Sequence, residues 1–97
     1  MIKQKSGKII NITSVASYRA VANSSDYCAS KGGALMLTRV PALELVKHNI
    51  HVNAICPGMF DTNLAPQLKE AVMKNPRRMI PLGRIARVDE IQGLALF

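Results

Sequence analysis

Two strand-like segments separated by one long helical segment are the feature that most limits what this chain can fold into. Residues 7–14 are mostly β-branched and apolar and end in polar residues, which predicts a buried strand. The second segment alternates from Ile50 to Cys56 and stops at Pro57 and Gly58, a turn signal. A right-handed strand, helix, strand crossover makes the two strands parallel neighbours. The sequence therefore predicts an α/β fold in which both strand ends meet at the sheet edge where ligands bind.

Residues able to do chemistry fall at the end of the first strand and near the start of the helix. Ser14 closes the first strand, and thirteen residues later Tyr27 begins a Y-x-x-x-K pattern that ends at Lys31. Residues four apart on a helix share one face, so the ammonium of Lys31 is expected beside the phenol of Tyr27. A fixed cation favours the phenolate, the form needed for general acid-base work, and the Ser14 hydroxyl can bond a substrate carbonyl. By itself Y-x-x-x-K usually means a half-buried ring and a solvated amine, and it is Ser14, with Pro57, Gly58 and Thr62 further along the chain, that favours a catalytic interpretation.

Three motifs in fixed order resemble those of the short-chain dehydrogenase/reductases, classical type. They are N-I-T-S at 11–14, Y-C-A-S-K at 27–31 and N-A-I-C-P-G at 53–58, and the likeness continues through P-L-G-R at 81–84. The resemblance covers nearly the whole chain from Gly7 onward. It implies a Rossmann-type doubly wound parallel sheet, in three α/β/α layers. It also implies hydride transfer between NAD or NADP and a small-molecule secondary alcohol or ketone, in a protein that forms a homo-oligomer.

The resemblance assigns a role to each matching residue of the catalytic set. Tyr27 would exchange the proton with the substrate oxygen, Ser14 would orient that oxygen, and Lys31 would also bind the hydroxyls of the nicotinamide ribose. The cofactor-binding set that it implies comprises Tyr27, Lys31, Pro57, Gly58 and Thr62, the last three around the nicotinamide carboxamide.

The segment after Thr62 is expected to form a helix, since apolar residues recur at helical spacing between residues 63 and 75. The family uses this region as a mobile lid over the substrate. Met59, Phe60 and Leu64 would then line an apolar pocket, and a plain core role for them is an equally good interpretation.

A glycine-rich phosphate turn of the G-x-G-x-x-G type is absent from the sequence, as is an acidic residue placed to read the adenosine ribose. We therefore interpret residues 1–97 as a partial reductase domain, truncated at both ends, whose N-terminal dinucleotide-binding half is missing and which is inactive alone. Pro41 also departs from the family, because proline inside a helix removes a donor and predicts a bend and an altered interface.

Composition leaves two other classes of function open. The net charge of +7 with a pI of about 9.9 would fit a basic binding module, but its cations are scattered and aromatic residues are only 4%, which argues against nucleic acid. A non-catalytic association module built around the Tyr27 helix is the other alternative.

No signal core or membrane span is evident, so a cytoplasmic protein with reduced Cys28 and Cys56 is expected. His48 and His51 lack a third ligand, and no metal site is predicted.

Overall fold

The computed structural model describes residues 1–64 and 66–97 and contains two compact units, Met1–Gly58 and Met59–Phe97. The first unit holds a two-stranded sheet and a long helix. The second holds three short helices and a short stretch of backbone pairing. Among the described residues, no helix has the length and apolar character needed to cross a bilayer.

The first unit is a strand, helix, strand crossover, as the sequence predicts. Strand β1 (Gly7–Ile12) leads through a 3-10 turn (Val15–Ser17) into helix α1 (Ser25–Leu45). A second 3-10 turn (Val46–His48) then leads into strand β2 (Ile50–Ile55). The strands are parallel and in register from the pair Gly7 and Ile50 to the pair Ile12 and Ile55. Parallel strands joined by one helix require that helix to run back along the sheet, so α1 is antiparallel to both strands.

Burial in this unit follows the two faces of the sheet. Ile50 and Val52 are 2% and 7% exposed and alternate with an exposed His51, as expected for a strand with one covered face. Ile10 and Ile12 on β1 are 42% and 55% exposed, so the prediction of a buried first strand is wrong for this face. The reason is that, within the described residues, the sheet has two strands and α1 packs on one side of it.

Pro41 lies inside α1, and the helix continues past it to Leu45. Proline has no N–H to donate to the carbonyl of Leu37, four residues earlier. Leu37 is 71% exposed, so water can take the place of that donor. The helix is therefore not ended by Pro41, and the bend remains a prediction.

The second unit contains α2 (Pro66–Lys74), α3 (Pro76–Met79), a 3-10 turn (Val88–Ile91) and α4 (Gln92–Leu96). The helix predicted between residues 63 and 75 is thus found over nine residues, while residue 65 lies outside the described part of the chain. Val72 is its buried anchor, at 2% exposed.

Backbone pairing joins the start of the second unit to Ala86. Phe60 and Ala86 form a parallel bridge, in which the Asp61 amide donates to the Ala86 carbonyl over 2.8 Å. The Ala86 amide donates to the Met59 carbonyl over 3.1 Å. The start of this unit is therefore ordered by a segment that follows about 25 residues later in the chain, a non-local contact that spacing alone does not reveal.

Candidate active site

The end of β1 is tied to the end of β2 beyond the last regular strand residues. The Thr13 amide and the Thr13 hydroxyl both donate to the Ile55 carbonyl, over 2.8 and 3.2 Å. The Thr13 Oγ1 also lies 2.9 Å from Cys56 Sγ, and the Val15 amide donates to the Pro57 carbonyl over 3.0 Å. These bonds bring the Ser14 segment beside the Pro57 turn, as the predicted sheet edge requires.

Ser14 is held in one orientation by the 3-10 turn that follows it. Its backbone is extended, with φ −164° and ψ 161°, and the residue is 8% exposed. Ser14 Oγ accepts a hydrogen bond from the Ala16 amide over 3.2 Å, and the Ser14 amide donates to Ser17 Oγ over 3.3 Å. A hydroxyl has one donor and two acceptor positions. Because the Ala16 amide uses an acceptor position, the Ser14 O–H can still donate to a substrate carbonyl oxygen.

Tyr27 and Lys31 lie in the first two turns of α1, which begins at Ser25. The Tyr27 amide, one of the helix's unpaired N–H groups, donates to the Asp26 carboxylate over 2.8 Å. The Lys31 Nζ lies 5.8 Å from the centroid of the Tyr27 ring, within the range of a cation-π contact. Tyr27 is 44% exposed, so its ring is accessible from solvent while a cation lies over it.

Gly32 of α1 faces the turn that follows Ser14. A Cβ on Gly32 would lie 3.8 Å from the Ser17 carbonyl oxygen, an ordinary van der Waals distance, so alanine would fit there. α1 packs against the 3-10 turn that Ser14 caps. Gly33 faces open space within the described residues.

The Pro57 turn places an exposed glycine beside Val15. Among the described residues, a Cβ on Gly58 would meet only Val15 Cγ1, at 3.9 Å, so this part of the structure leaves room at the Gly58 backbone. The first unit thus carries Ser14, Tyr27, Lys31, Pro57 and Gly58 of the predicted set.

The remaining predicted residues belong to the second unit. The Thr62 amide donates to the Phe60 carbonyl over 2.8 Å, and the Thr62 hydroxyl accepts from the Leu64 amide over 3.4 Å. Met59 and Phe60 are half-buried around the bridge to Ala86, and Leu64 is 88% exposed. The half-buried pair fits either the core or the pocket interpretation, whereas Leu64 has no place in the core of this unit.

Sequence reasoning missed one polar contact between the first strand and the helix. The Asn11 side-chain amide donates to Thr38 Oγ1 over 3.0 Å, and Thr38 Oγ1 donates to the Ala34 carbonyl over 3.0 Å. Thr38 is 4% exposed. Two signals in the sequence point to such a contact: an amide inside an apolar strand, and a threonine, a poor helix former, in the middle of a helix.

The first unit also contains an apolar groove and two cysteines. An apolar groove of about 470 Å³ is lined by Met1, Ile2, Lys3, Ile9, Leu45 and Ile50. Ile50 is the first residue of β2, so the groove lies at the opposite end of the strands from Ser14. Cys28 and Cys56 are free thiols, as predicted. Over residues 1–64 and 66–97, no group of three or more metal-ligating side chains is present.

Comparison with known proteins agrees with the geometry. The family model described as enoyl-(acyl carrier protein) reductase matches residues 1–97. The 3-oxoacyl-[acyl-carrier-protein] reductase of Thermotoga maritima is 37% identical over 97 residues, which are the whole of this chain and 39% of that protein.

Two solved structures are similar to this chain in three dimensions. Gluconate 5-dehydrogenase from Burkholderia cenocepacia, in complex with NADP and tartrate, is similar with a TM-score of 0.84 and 35% identity, over 99% of this chain and 38% of that one. NAD⁺-bound xylitol dehydrogenase is similar with a TM-score of 0.85 and 30% identity, over 100% of this chain and 44% of that one. The chain thus spans about two fifths of the length of these relatives. The sequence match, the Rossmann-type fold and the motif order lead to one conclusion: the chain belongs to the short-chain dehydrogenase/reductases, a family of NAD(P)-dependent oxidoreductases.

Proposed function

We propose that the protein to which this chain belongs transfers a hydride between NAD or NADP and a secondary alcohol or ketone, with Ser14, Tyr27 and Lys31 as its catalytic residues. One observation carries the proposal. A buried serine with a hydroxyl proton able to donate lies at the end of β1, and the helix that bears Tyr27 and Lys31 packs against the turn which that serine caps. Such a donor next to a proton-transfer pair is what carbonyl reduction requires.

The chemistry assigned to each residue follows from its surroundings. In the reducing direction Ser14 donates a hydrogen bond to the carbonyl oxygen and fixes its position. Tyr27 transfers its phenolic proton to that oxygen as the alcohol forms, and the nearby Lys31 ammonium stabilises the phenolate that remains. The bound cofactor supplies the hydride that reaches the carbonyl carbon, so one hydride and one proton are added. The oxidising direction reverses each step.

The residues present suit the nicotinamide end of a cofactor. Lys31 offers a primary amine able to bond the ribose hydroxyls, and the open space at Gly58 lets a flat amide approach the turn. Thr62 in the second unit is proposed to bond the carboxamide. The relatives include one structure with NADP and one with NAD⁺, and either cofactor is compatible with this half of a site.

We further propose that the chain acts as part of a larger reductase domain and is inactive alone. Ile10 and Ile12 present an uncovered apolar face, and a two-stranded parallel sheet with one helix layer is marginal by itself. The matched relatives are more than twice as long as this chain. The adenosine half of the cofactor would then be bound by the rest of the domain, in a cytoplasmic enzyme.

The first experiment measures cofactor binding by the purified 97-residue chain, using saturation-transfer NMR with NAD and NADP. The second uses a chimera in which the parts of the Thermotoga maritima reductase that flank the matched segment are joined to this chain. We expect no turnover by the chain alone, and carbonyl-dependent oxidation of NADPH or NADH by the chimera. Turnover by the chain alone would contradict the proposal that the chain is active only as part of a larger reductase domain.

Tyr27→Phe in the chimera tests the catalytic assignment. It should lower turnover by at least about 10²-fold, the low end of what a positioned general acid contributes, and leave cofactor binding nearly unchanged. Tyr18→Phe is the matched control, because Tyr18 is 67% exposed and lies outside the proposed set. Undiminished turnover by Tyr27→Phe would refute Tyr27 as the proton carrier.

Association is the second candidate function, and one observation favours it. Met36, Leu37, Val40 and Leu43 form an apolar stripe on α1, and each is between 50% and 80% exposed. Packing of this stripe against a second copy would give the homo-oligomer expected of the intact protein. If Leu37→Glu leaves sedimentation of the chain unchanged over a range of concentrations, the stripe is not an interface.

A further inference from the structure

The hydrogen bond between Asn11 and Thr38 is the one side-chain bond that the described residues make between β1 and α1. It is a polar contact between residues 27 apart in the chain, and Thr38 is the one residue of α1 that is buried in the described structure. Thr38 Oγ1 accepts from Asn11 and donates to the Ala34 carbonyl, so both partners of its hydroxyl are determined. Hydrogen bonds are directional, whereas apolar packing is not, so this bond specifies one position of the helix along the strand.

The position of this bond along the helix relates it to Tyr27 and Lys31. At 3.6 residues per turn, Thr38 lies about 20° around the helix axis from both Tyr27 and Lys31, on the same stripe. At 1.5 Å per residue, it lies about 10 Å along the axis from Lys31 and about 16 Å from Tyr27. The side of α1 that bonds to β1 is therefore the side that carries the proposed catalytic residues.

The distance from this bond to Ser14 along the strand can be compared with its distance to Lys31 along the helix. The backbone is extended at Ser14, so the rise from Asn11 to Ser14 is about 10 Å at 3.3 Å per residue. Because α1 runs antiparallel to β1, moving from Asn11 towards Ser14 is also moving from Thr38 towards Lys31. The two distances are nearly equal. A bond at Asn11 and Thr38 thus sets Lys31 level with Ser14 and leaves Tyr27 about one helical turn beyond Ser14.

We infer that Asn11 and Thr38 are positioning residues that determine the axial register of α1 on β1 and, through it, the alignment of Tyr27 and Lys31 with Ser14. This inference rests on the proposed function. Neither residue touches substrate or cofactor. Removing the bond allows α1 to slide by a fraction of a turn while its apolar contacts adapt. The rise of one residue, about 1.5 Å, exceeds the misplacement of about 1 Å that can lower a rate 10²-fold.

The test compares three variants in the chimera. Thr38→Val keeps the side-chain shape and removes the hydroxyl, Thr38→Ser keeps the hydroxyl, and Asn11→Leu removes the donor. We expect Thr38→Val and Asn11→Leu to lower kcat about tenfold or more with little change in KM for the carbonyl substrate, well below the unfolding temperature. Thr38→Ser should retain most of the wild-type kcat. The double variant Asn11→Leu with Thr38→Val should be no slower than the slower single variant, because both changes remove the same bond.

Arg39→Gln is the matched control, since Arg39 is the next residue of α1 and is exposed. A merely structural role predicts a lower unfolding temperature with unchanged kcat, and that result would overturn the inference. A folded wild-type chimera with no turnover would overturn the proposed function, and the inference with it. An active chimera in which Thr38→Val retains full kcat would overturn the inference alone.

Discussion

Gly83 is the position where one added methyl group should be most informative about the second unit. Its φ is +72°, in the left-handed region, and its amide donates to the Ile80 carbonyl over 2.8 Å to close a turn. A Cβ built there would lie 3.1 Å from Cγ and 3.2 Å from Nε of Arg77. Gly83→Ala therefore combines an unfavourable backbone conformation with a tight contact.

The magnitude follows from three contributions to the free energy of unfolding. The left-handed conformation costs an L-residue about 1–2 kcal/mol. Alanine reduces the entropy of the unfolded chain, which offsets about 0.4–1 kcal/mol of this. Arg77 is exposed and can move its side chain, so relieving the contact adds little. The expected net loss is about 1 kcal/mol, equivalent to about a fivefold change in the local opening equilibrium.

Hydrogen exchange measured by mass spectrometry on the chimera checks this prediction peptide by peptide. Peptides that cover residues 76–86 should exchange about five times faster in Gly83→Ala. Gly93→Ala is the matched control, because Gly93 lies in α4 and no atom of the described residues comes within 4 Å of the added Cβ, and it should slow exchange or leave it unchanged. Unchanged or slower exchange at 76–86 in Gly83→Ala would refute the argument from the positive φ.

Three further predictions concern charge, core and strand end. The Arg84 guanidinium, which forms two hydrogen bonds to the Glu90 carboxylate, and then the Arg87 amide lower the pKa of Glu90 to about 2. The contribution of ionised Glu90 to stability is therefore present above about pH 4.5 and is lost as the pH falls towards 2. Thermal unfolding measured against pH should show that loss, and the loss should be absent in Glu90→Gln. Ile50→Ala should lower the free energy of unfolding by about 2–5 kcal/mol and Ile50→Val by about 0.5–1.5 kcal/mol in urea titrations, and equal effects would contradict the burial argument. Thr13→Val should cost only about 0.5–1.5 kcal/mol, because the acceptor carbonyl keeps its bond to the Thr13 amide, and a loss above about 3 kcal/mol would contradict this.

Most of the first unit could be predicted from local patterns. The β-branched residues of the two strands, the Y-x-x-x-K pattern between them and the Pro57 turn are properties of neighbouring residues, so the strand, helix, strand order was readable without coordinates. The burial of β1 could not be predicted from such local patterns. Whether Ile10 and Ile12 are covered depends on which elements lie against them, and a run of apolar residues reads the same in either case.

The candidate site was also predictable in part from the sequence. The spacing of Ser14, Tyr27 and Lys31 was visible in the sequence, and so was the shared helix face, because helix periodicity determines it. The bond from the Ala16 amide to the Ser14 hydroxyl is a local cap, whereas the tertiary structure alone decided that Gly32, rather than Gly33, faces the Ser17 carbonyl.

The sequence by itself determined the residue types, their order and the elements that carry them, because these depend on interactions within a few residues. The register of α1 on β1 was decided only by the tertiary structure, through a bond between Asn11 and Thr38, 27 residues apart. Such a bond depends on how two elements pack, and its partners are chosen by distances of about 3 Å that no local pattern specifies.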